Sequence, residues 1–453
     1  MRRIVIVGGV AAGPAAAVRA KKIDPNAVVM LLEQGEHIAY GVCELPYLVS
    51  GEISDTAVLR PYDATRFARN YGVEVRVFNR VEEVVPARRE LAVRDLFRGP
   101  VEVIPYDRLI LATGSYSTPL GLAGERAPNV FRMKSLDDAQ SLCRWIDGRR
   151  PATAVIVGGG YIGVETAEAL RLRGCGVTVV ESAVGVLHDM DESLSKHGLD
   201  ILRRHGINVQ TETRVVELAA DAGGNVSKVV TNNGSLPSDI VVITAGVTPE
   251  TSLAEQAGAR LGELGGVRCD ARQETTVSGI FAAGDCCEVR DAATSRWSYM
   301  PLATIAARQG RVAGENVAGG SAECKDAVRA VGIRLFETDL VQVGATVQQA
   351  KEAGIAALEQ TIESTDRVPF LKHARPTSIR LVTEAQTGRM LGGSVVGGPG
   401  SAQTGTMISL AVHERLTSDA FMRLDHVYAP PMSPFKDPVA IAARRLHAER
   451  TDR

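Results

Sequence analysis

The 453-residue sequence has no basic run, no long apolar stretch and no paired-cysteine spacing, and each absence removes a class of function. Fifty-one lysines and arginines stand against fifty-three acidic residues, a net charge of -2, and nowhere do the cations cluster along a stripe. A phosphate backbone or an anionic membrane surface therefore has nothing to follow, and nucleic acid is excluded as a partner. No apolar segment approaches the ~20 residues needed to span a bilayer. The opening Arg2-Arg3-Ile4-Val5-Ile6-Val7 is too short for a signal-peptide core, so a cytoplasmic location is expected. The seven cysteines (Cys43, Cys143, Cys175, Cys269, Cys286, Cys287 and Cys324) are odd in number and lack CxxC or CxxxxC spacing. That argues against a disulfide framework and against a zinc site. No histidine pair has HExxH-type spacing, and no metal is expected. Cysteine chemistry, if present, must use a lone thiol.

What the sequence does contain is apolar residues and glycine. With 45% apolar residues, 4% aromatics and 45 glycines, it suits an α/β protein with many tight strand-to-helix turns. At roughly 100–200 residues per domain, three domains are expected. The first segment alternates an apolar run (Ile4 to Val7), an alanine-rich stretch compatible with a helix (Ala11 to Ala20) and a second apolar run (Val28 to Leu32), which is a βαβ pattern. The design returns about 150 residues later as Ala154 to Val157, Val164 to Leu172 and Val177 to Val180. Two nucleotides are implied. Tyr106 to Gly114 reads as a buried strand ending in a turn, and Asp239 to Gly246 repeats it. After Gly279 to Asp285, Leu302 to Val317 has helical spacing and stops at Gly319-Gly320. Beyond Val331, strand-like stretches (Val341 to Val343, Ser378 to Val382, Met390 to Val396) precede a helix-like run at Gly405 to Glu414, predicting an α+β module.

The stronger nucleotide signal is Gly158-Gly159-Gly160-Tyr161-Ile162-Gly163, set between a strand and a helix, with Glu181 closing the next strand. Gly158 permits the turn, Gly160 lets backbone approach a pyrophosphate, and Gly163 lets helix pack on strand. Glu181 would hold ribose hydroxyls and repel the 2′-phosphate of NADPH, so NADH is expected unless Arg171 or Arg173 reaches in. The first copy, Gly8-Gly9-Val10-Ala11-Ala12-Gly13, keeps the outer glycines, has Val10 where the middle one belongs, and is followed by Glu33 at the end of the next strand. FAD is its natural occupant. Cys43 precedes Leu45-Pro46-Tyr47-Leu48, a plausible first helical turn, where backbone N–H groups and the helix dipole favour a thiolate. A thiolate there can attack a substrate disulfide or accept oxidation to a sulfenic acid. Cys286-Cys287 read as packing beside the flavin, and the other four cysteines as buried small apolar residues.

The order of a first nucleotide motif, a cysteine, Ala112-Thr113-Gly114, a second nucleotide motif and Gly279-Ile280-Phe281-Ala282-Ala283-Gly284-Asp285 resembles the flavoprotein disulfide reductases with two dinucleotide domains. Tyr40-Gly41-Val42-Cys43-Glu44-Leu45-Pro46-Tyr47 and the ending Tyr428 to Pro438 are similar to the single-cysteine branch, which holds coenzyme A disulfide reductases, NADH oxidases and persulfide reductases. The resemblance implies an α/β fold of two Rossmann-like domains, FAD-binding (1–115 with 250–325) and NAD(H)-binding (116–249), plus a C-terminal α+β dimerisation domain (326–453). It implies Asp285 on the FAD ribityl chain, Tyr161 over the nicotinamide face, Ala303 near the pyrimidine ring, Glu165 beside the nicotinamide pocket, and further cofactor contacts at Val81, Ala112, Thr113, Gly114, Ile162 and Gly246. It also implies a homodimer in which Tyr428, and with it Arg375, reaches the partner's Cys43.

Several positions depart from that branch. His373-Ala374-Arg375-Pro376 replaces a tyrosine-bearing stretch of the coenzyme A enzymes, and Glu44 replaces a small residue, adding a carboxylate that raises the thiol pKa unless it points away. Ala11 stands where the peroxidase members carry a histidine, which disfavours peroxide reduction by their route. Lys22 either meets coenzyme A phosphates or, with Lys21, is a solvated helix end. The expected activity is NADH-driven reduction of a small disulfide or persulfide through Cys43, with an NADH oxidase and a low-turnover redox sensor as the alternatives.

Overall fold

The computed structural model describes residues 1–452. Two five-stranded parallel sheets form its first three hundred residues, and they are built to one plan. In the first, the strand order is Ile280–Ala282, Arg108–Leu111, Arg3–Val7, Val28–Leu32 and Glu74–Arg76. In the second it is Val130–Arg132, Ile240–Ile243, Thr153–Val157, Gly176–Val180 and Asn208–Gln210. Ile4, Val5 and Ile6, like Val155 and Ile156, are shut off from solvent, as expected for parallel strands covered on both faces. Each half also carries a three-stranded antiparallel sheet: Asn79–Val85, Glu90–Asp95 and Val101–Pro105 in the first, Val215–Ala220, Val226–Thr231 and Gly234–Pro237 in the second.

The chain passes between the halves along one ribbon, Ser115–Ser117 paired antiparallel with Val247–Pro249. The helices run Ala12–Ile23 and Tyr161–Leu172, slightly longer than the apolar spacing alone marks out. The first packs on the helix Ala303–Val317 so closely that a Cβ at Gly310 would lie 2.2 Å from the Ala12 carbonyl oxygen. The second lies beside the short helix Leu45–Ser50 and the strand Ala330–Leu335.

From residue 330 a five-stranded antiparallel sheet follows, in the order Ala330–Leu335, Thr338–Gly344, Met390–Gly397, Pro376–Glu384, Ala357–Thr365. The helices Ser401–His413 and Pro438–Thr451 cover it, closing a core around Leu381, Met390 and Ile408. Among the described residues, no helix is long and apolar enough to cross a membrane.

Candidate active site

Both glycine loops have the same internal wiring. Gly8 (φ +108°) and Gly158 (φ +109°) sit in the left-handed region where only glycine is unstrained. A Cβ on Gly13 would fall 1.8 Å from the Gly8 carbonyl oxygen, and one on Gly163 would fall 2.0 Å from that of Gly158. The following acid then braces the loop. Glu33 accepts from Gly9 N at 2.7 Å and Gly35 N at 2.7 Å, and Glu181 accepts from Gly159 N at 2.6 Å and Ala183 N at 2.7 Å. At the middle position the loops differ. Gly160, the residue before the helix, has nothing within 4 Å of where a Cβ would stand, whereas Val10 carries a side chain.

Arg171 donates to the His205 carbonyl at 2.9 Å, and Arg173 donates to the Val49 carbonyl at 3.0 Å while pairing with Asp147. Both lie at the far end of the helix from Glu181, so neither reaches in.

Where the halves meet, residues distant in sequence converge on Asp285. Ser115 Oγ donates to Asp285 Oδ2 at 3.1 Å, and Lys134 Nζ reaches Ser115 Oγ at 2.7 Å and Asp285 Oδ2 at 3.3 Å. Tyr299 has its hydroxyl buried nearby, and burial pushes its pKa up. Thr113 donates to the Glu250 carbonyl, and Gly114 turns at φ +73°. Gly246 turns at φ +92° after Ile240–Ile243, Ala303 opens its helix exposed to solvent, and Val81 is buried in the small sheet. Neither Lys134 nor Ser115 stood out in the sequence, since no local pattern marks a contact spanning about 150 residues.

Cys43 is open to solvent and immediately precedes the cap residue Glu44 of the helix Leu45–Ser50. Its thiol is nonetheless pushed up, first by the burial of its surroundings, then by Glu44, Glu165 and Asp285, with Lys134 opposing. The expected help from the helix N-terminus does not prevail: burial leads the shift, and the six-residue helix has the Glu44 carboxylate at its cap. The Glu44 carboxylate folds back over Gly41, where a Cβ would meet its Oε2 at 2.2 Å.

Two carboxylates stand one turn apart on the adjoining helix. Burial raises Glu165 to about 8 and Glu168 to about 7, and Glu168 accepts from Phe336 N at 2.8 Å in the C-terminal module. The sequence reading named Glu165 alone; the i, i+3 spacing could have found Glu168. Tyr161 opens this helix, half-buried, with Ile162 beside it.

Three of the expected residues are not drawn into this cluster within one chain. Lys22 is exposed in the last turn of Ala12–Ile23. Arg375 bonds the Glu337 carbonyl at 3.2 Å and, through its N–H, Asp366 at 2.8 Å. Tyr428 is 43% exposed and packs edge-on against Phe435.

With this geometry in view, comparison with known proteins is direct. Residues 2–310 match the family model described as pyridine nucleotide-disulphide oxidoreductase, and residues 334–437 match the dimerisation domain of the same family. A protein of Pyrococcus horikoshii named NAD(P)H coenzyme A polysulfide/persulfide reductase is 30% identical over 447 residues, 98% of each chain. A protein of Enterococcus faecalis named NADH oxidase is 28% identical over 94% of this chain and 95% of its own. The solved structure of a NAD-dependent persulfide reductase from A. fulgidus superposes with a TM-score of 0.95 at 31% identity, covering 99% of this chain and 84% of that one.

Proposed function

Because the chain belongs to the pyridine nucleotide-disulphide oxidoreductases, we propose that it is an FAD-dependent enzyme that uses NADH to reduce a small disulfide or persulfide at Cys43. The observation that carries this reading is the meeting of the lone exposed thiol with Glu165 of one nucleotide half and the Asp285–Lys134–Ser115 cluster, which joins it to the other.

The residues fit the cofactors the family implies. The first loop, with Glu33, Ala112-Thr113-Gly114 and Asp285, would hold FAD; the second, with Tyr161, Ile162, Glu165 and Gly246, would hold the pyridine nucleotide. The space beside Gly160 is what a pyrophosphate needs at a helix N-terminus. NADH is favoured over NADPH by Glu181, held against two backbone N–H groups, with Arg171 and Arg173 both bonded elsewhere. Bound flavin supplies the two-electron exchange between nicotinamide and sulfur.

The chain's own part is to position and protonate. Cys43 releases its proton to solvent and, as thiolate, attacks the nearer sulfur of the substrate; the S–S bond breaks, a mixed disulfide forms on Cys43 and the second sulfur departs as a thiolate. Glu165, titrating near 8, still carries its proton at pH 7 and can supply it beside that leaving sulfur. The raised Cys43 pKa keeps the resting thiol protonated and spares it from unselective oxidation. Lys134 opposes the carboxylates that raise it and favours the thiolate.

The matched dimerisation domain supports a homodimer in which Arg375 and Tyr428 face the partner's Cys43 and bind the non-reacting part of the substrate. A second reading, NADH oxidation by oxygen with Cys43 cycling through a sulfenic acid, is supported by the solvent exposure of Cys43 and by a relative so named.

Anaerobic assay of coenzyme A disulfide, coenzyme A persulfide, glutathione disulfide and polysulfide with NADH decides between them. Oxygen-independent thiol release supports the reductase; NADH loss requiring oxygen supports the oxidase. Cys43→Ser is expected to keep FAD and NADH-driven flavin bleaching but lose disulfide reduction, and undiminished disulfide turnover would refute the assignment.

A further inference from the structure

Along the chain, Leu45–Ser50 lies between two strands of the first sheet, Val28–Leu32 and Glu74–Arg76. Its apolar face packs into the other half. Leu45, Leu48 and Val49 join one buried cluster with Leu142 of the helix Leu136–Arg149 and with Val164 and Ala167 of Tyr161–Leu172. The carbonyls at the end of the short helix are taken up from the same side. Arg173 Nη1 donates to the Val49 carbonyl at 3.0 Å, and Cys143 Sγ points to the Leu48 carbonyl at 3.7 Å. The other arm of the Arg173 guanidinium pairs with Asp147, on Leu136–Arg149. A planar fork with one prong on each neighbour fixes direction as well as distance, which an ammonium on a flexible stem does not. Arg173 is itself the cap residue at the end of Tyr161–Leu172, so one side chain joins three helices. Isolated helices shorter than about 12–15 residues are marginal in water, and Leu45–Ser50 has six. Its place, and that of Cys43 just before its cap, is therefore set by the groups it is bonded to.

We propose that Arg173 is a positioning residue for Cys43: by binding the last turn of Leu45–Ser50 it holds the thiol where the two halves meet, and Asp147 holds the guanidinium. A cation at this end of a helix is also favoured by the helix dipole. The fork that the sequence offered to the 2′-phosphate of NADPH is thus committed to the helix that follows Cys43. Without it, the Val49 carbonyl loses its charged donor, the short helix is free to shift over the apolar cluster, and Cys43 shifts with it. A misplacement of about 1 Å at a reacting atom costs on the order of a hundredfold in rate. The inference deepens the proposed role of Cys43 and rests on it. Titration of the thiol does not require that role, so a Cys43 without disulfide chemistry and an Arg173 without influence on Cys43 give different results.

The test compares holoprotein of the wild type with Arg173→Ala, Arg173→Lys and Asp147→Asn. Each is reduced with dithiothreitol, desalted and treated with iodoacetamide across a pH series, and the rate at Cys43 is read by mass spectrometry of its peptide. In Arg173→Ala the midpoint of the rate profile should fall by about one pH unit, because Cys43 moves away from the burial and from the Glu165 and Asp285 charges that raise it, a loss larger than that of the opposing Lys134. Arg173→Lys keeps one donor and should recover part of the shift, and Asp147→Asn should show a smaller shift in the same direction. NADH-driven flavin reduction should stay within about twofold of the wild type while disulfide turnover falls roughly tenfold or more. A wild-type midpoint in Arg173→Ala overturns the proposal, as does an equal slowing of flavin reduction and disulfide turnover. If Arg173→Ala does not fold, a wild-type midpoint in both Arg173→Lys and Asp147→Asn overturns it.

Discussion

The helices Ala12–Ile23 and Tyr161–Leu172 occupy equivalent places in the two nucleotide halves, run for twelve residues each, and turn different faces to their surroundings. Aligned on Gly13 and Gly163, Ala15 and Val18 stand where Glu165 and Glu168 do, and Ala11 where Tyr161 does. The first helix spends its small residues on close packing with Ala303–Val317. The second gives up apolar surface to bring Glu165 and the Tyr161 phenol toward Cys43 and to set Glu168 against Phe336 N, and burial makes both carboxylates weak acids. Meanwhile the loops before the helices are nearly superimposable in their hydrogen bonds. A left-handed glycine, a glycine under a carbonyl oxygen and an acid bonded to two N–H groups admit few substitutes, so both halves keep them. The helix faces have no such backbone constraint, and there the halves are free to acquire separate chemistry.

The largest test of this comparison is steric. Gly13→Ala places a methyl group 1.8 Å from the Gly8 oxygen, and Gly163→Ala one 2.0 Å from the Gly158 oxygen. Each should destabilise its own half by about 3 kcal/mol, lowering the Tm of that unit by roughly 10 °C. Gly13→Ala is expected to lose bound flavin, whereas Gly163→Ala keeps flavin colour and raises KM for NADH. Equal flavin loss in both variants would mean the halves are not divided as argued.

A smaller effect is expected at the bracing acids. Glu181→Ala removes charged hydrogen bonds worth about 1.5–3 kcal/mol, so the ratio of kcat/KM for NADH over NADPH should fall roughly tenfold to hundredfold. Stopped-flow flavin reduction with both nucleotides measures it. An unchanged ratio would show that Glu181 only braces its loop, as Glu33 does in the other half.

The smallest effect concerns the helix faces and is seen in pH dependence. Glu165 has an ordinary carboxyl pKa of 4.5 when unfolded and about 8 when folded. Between those values the folded chain holds a proton that the unfolded chain has released, so stability falls as pH rises from 4.5 to 8. Glu168 acts in the same sense up to about 7. Glu165→Gln should therefore raise Tm by a few degrees at pH 8 and hardly at all at pH 4.5, by scanning calorimetry. A substitution at Ala15, its counterpart, should show no such pH dependence.

What could be read from the sequence follows from the same distinction. Gly8, Gly13, Gly158, Gly163, Glu33 and Glu181 were legible because each answers a local backbone demand at fixed spacing. The paired parallel sheets were legible because strands buried on both faces leave continuous apolar runs such as Ile4 to Val7. Lys134 and Ser115 were not, because their contact with Asp285 depends on how the two halves dock. The Cys43 environment was half legible: Glu44 announced a carboxylate, but the burial that leads the shift is a property of the packed neighbours.

The ribbon of Ser115–Ser117 and Val247–Pro249 has one more consequence. Thr118 N donates to the Gly246 carbonyl at 3.0 Å, and the Thr118 and Thr248 hydroxyls lie 2.9 Å apart, so the intervening chain leaves and returns through adjacent points. A segment whose two ends are already hydrogen-bonded to each other can lengthen, shorten or be exchanged with little change in the entropy of closing it. The second half is in this sense a cartridge whose two covalent links to the first lie side by side.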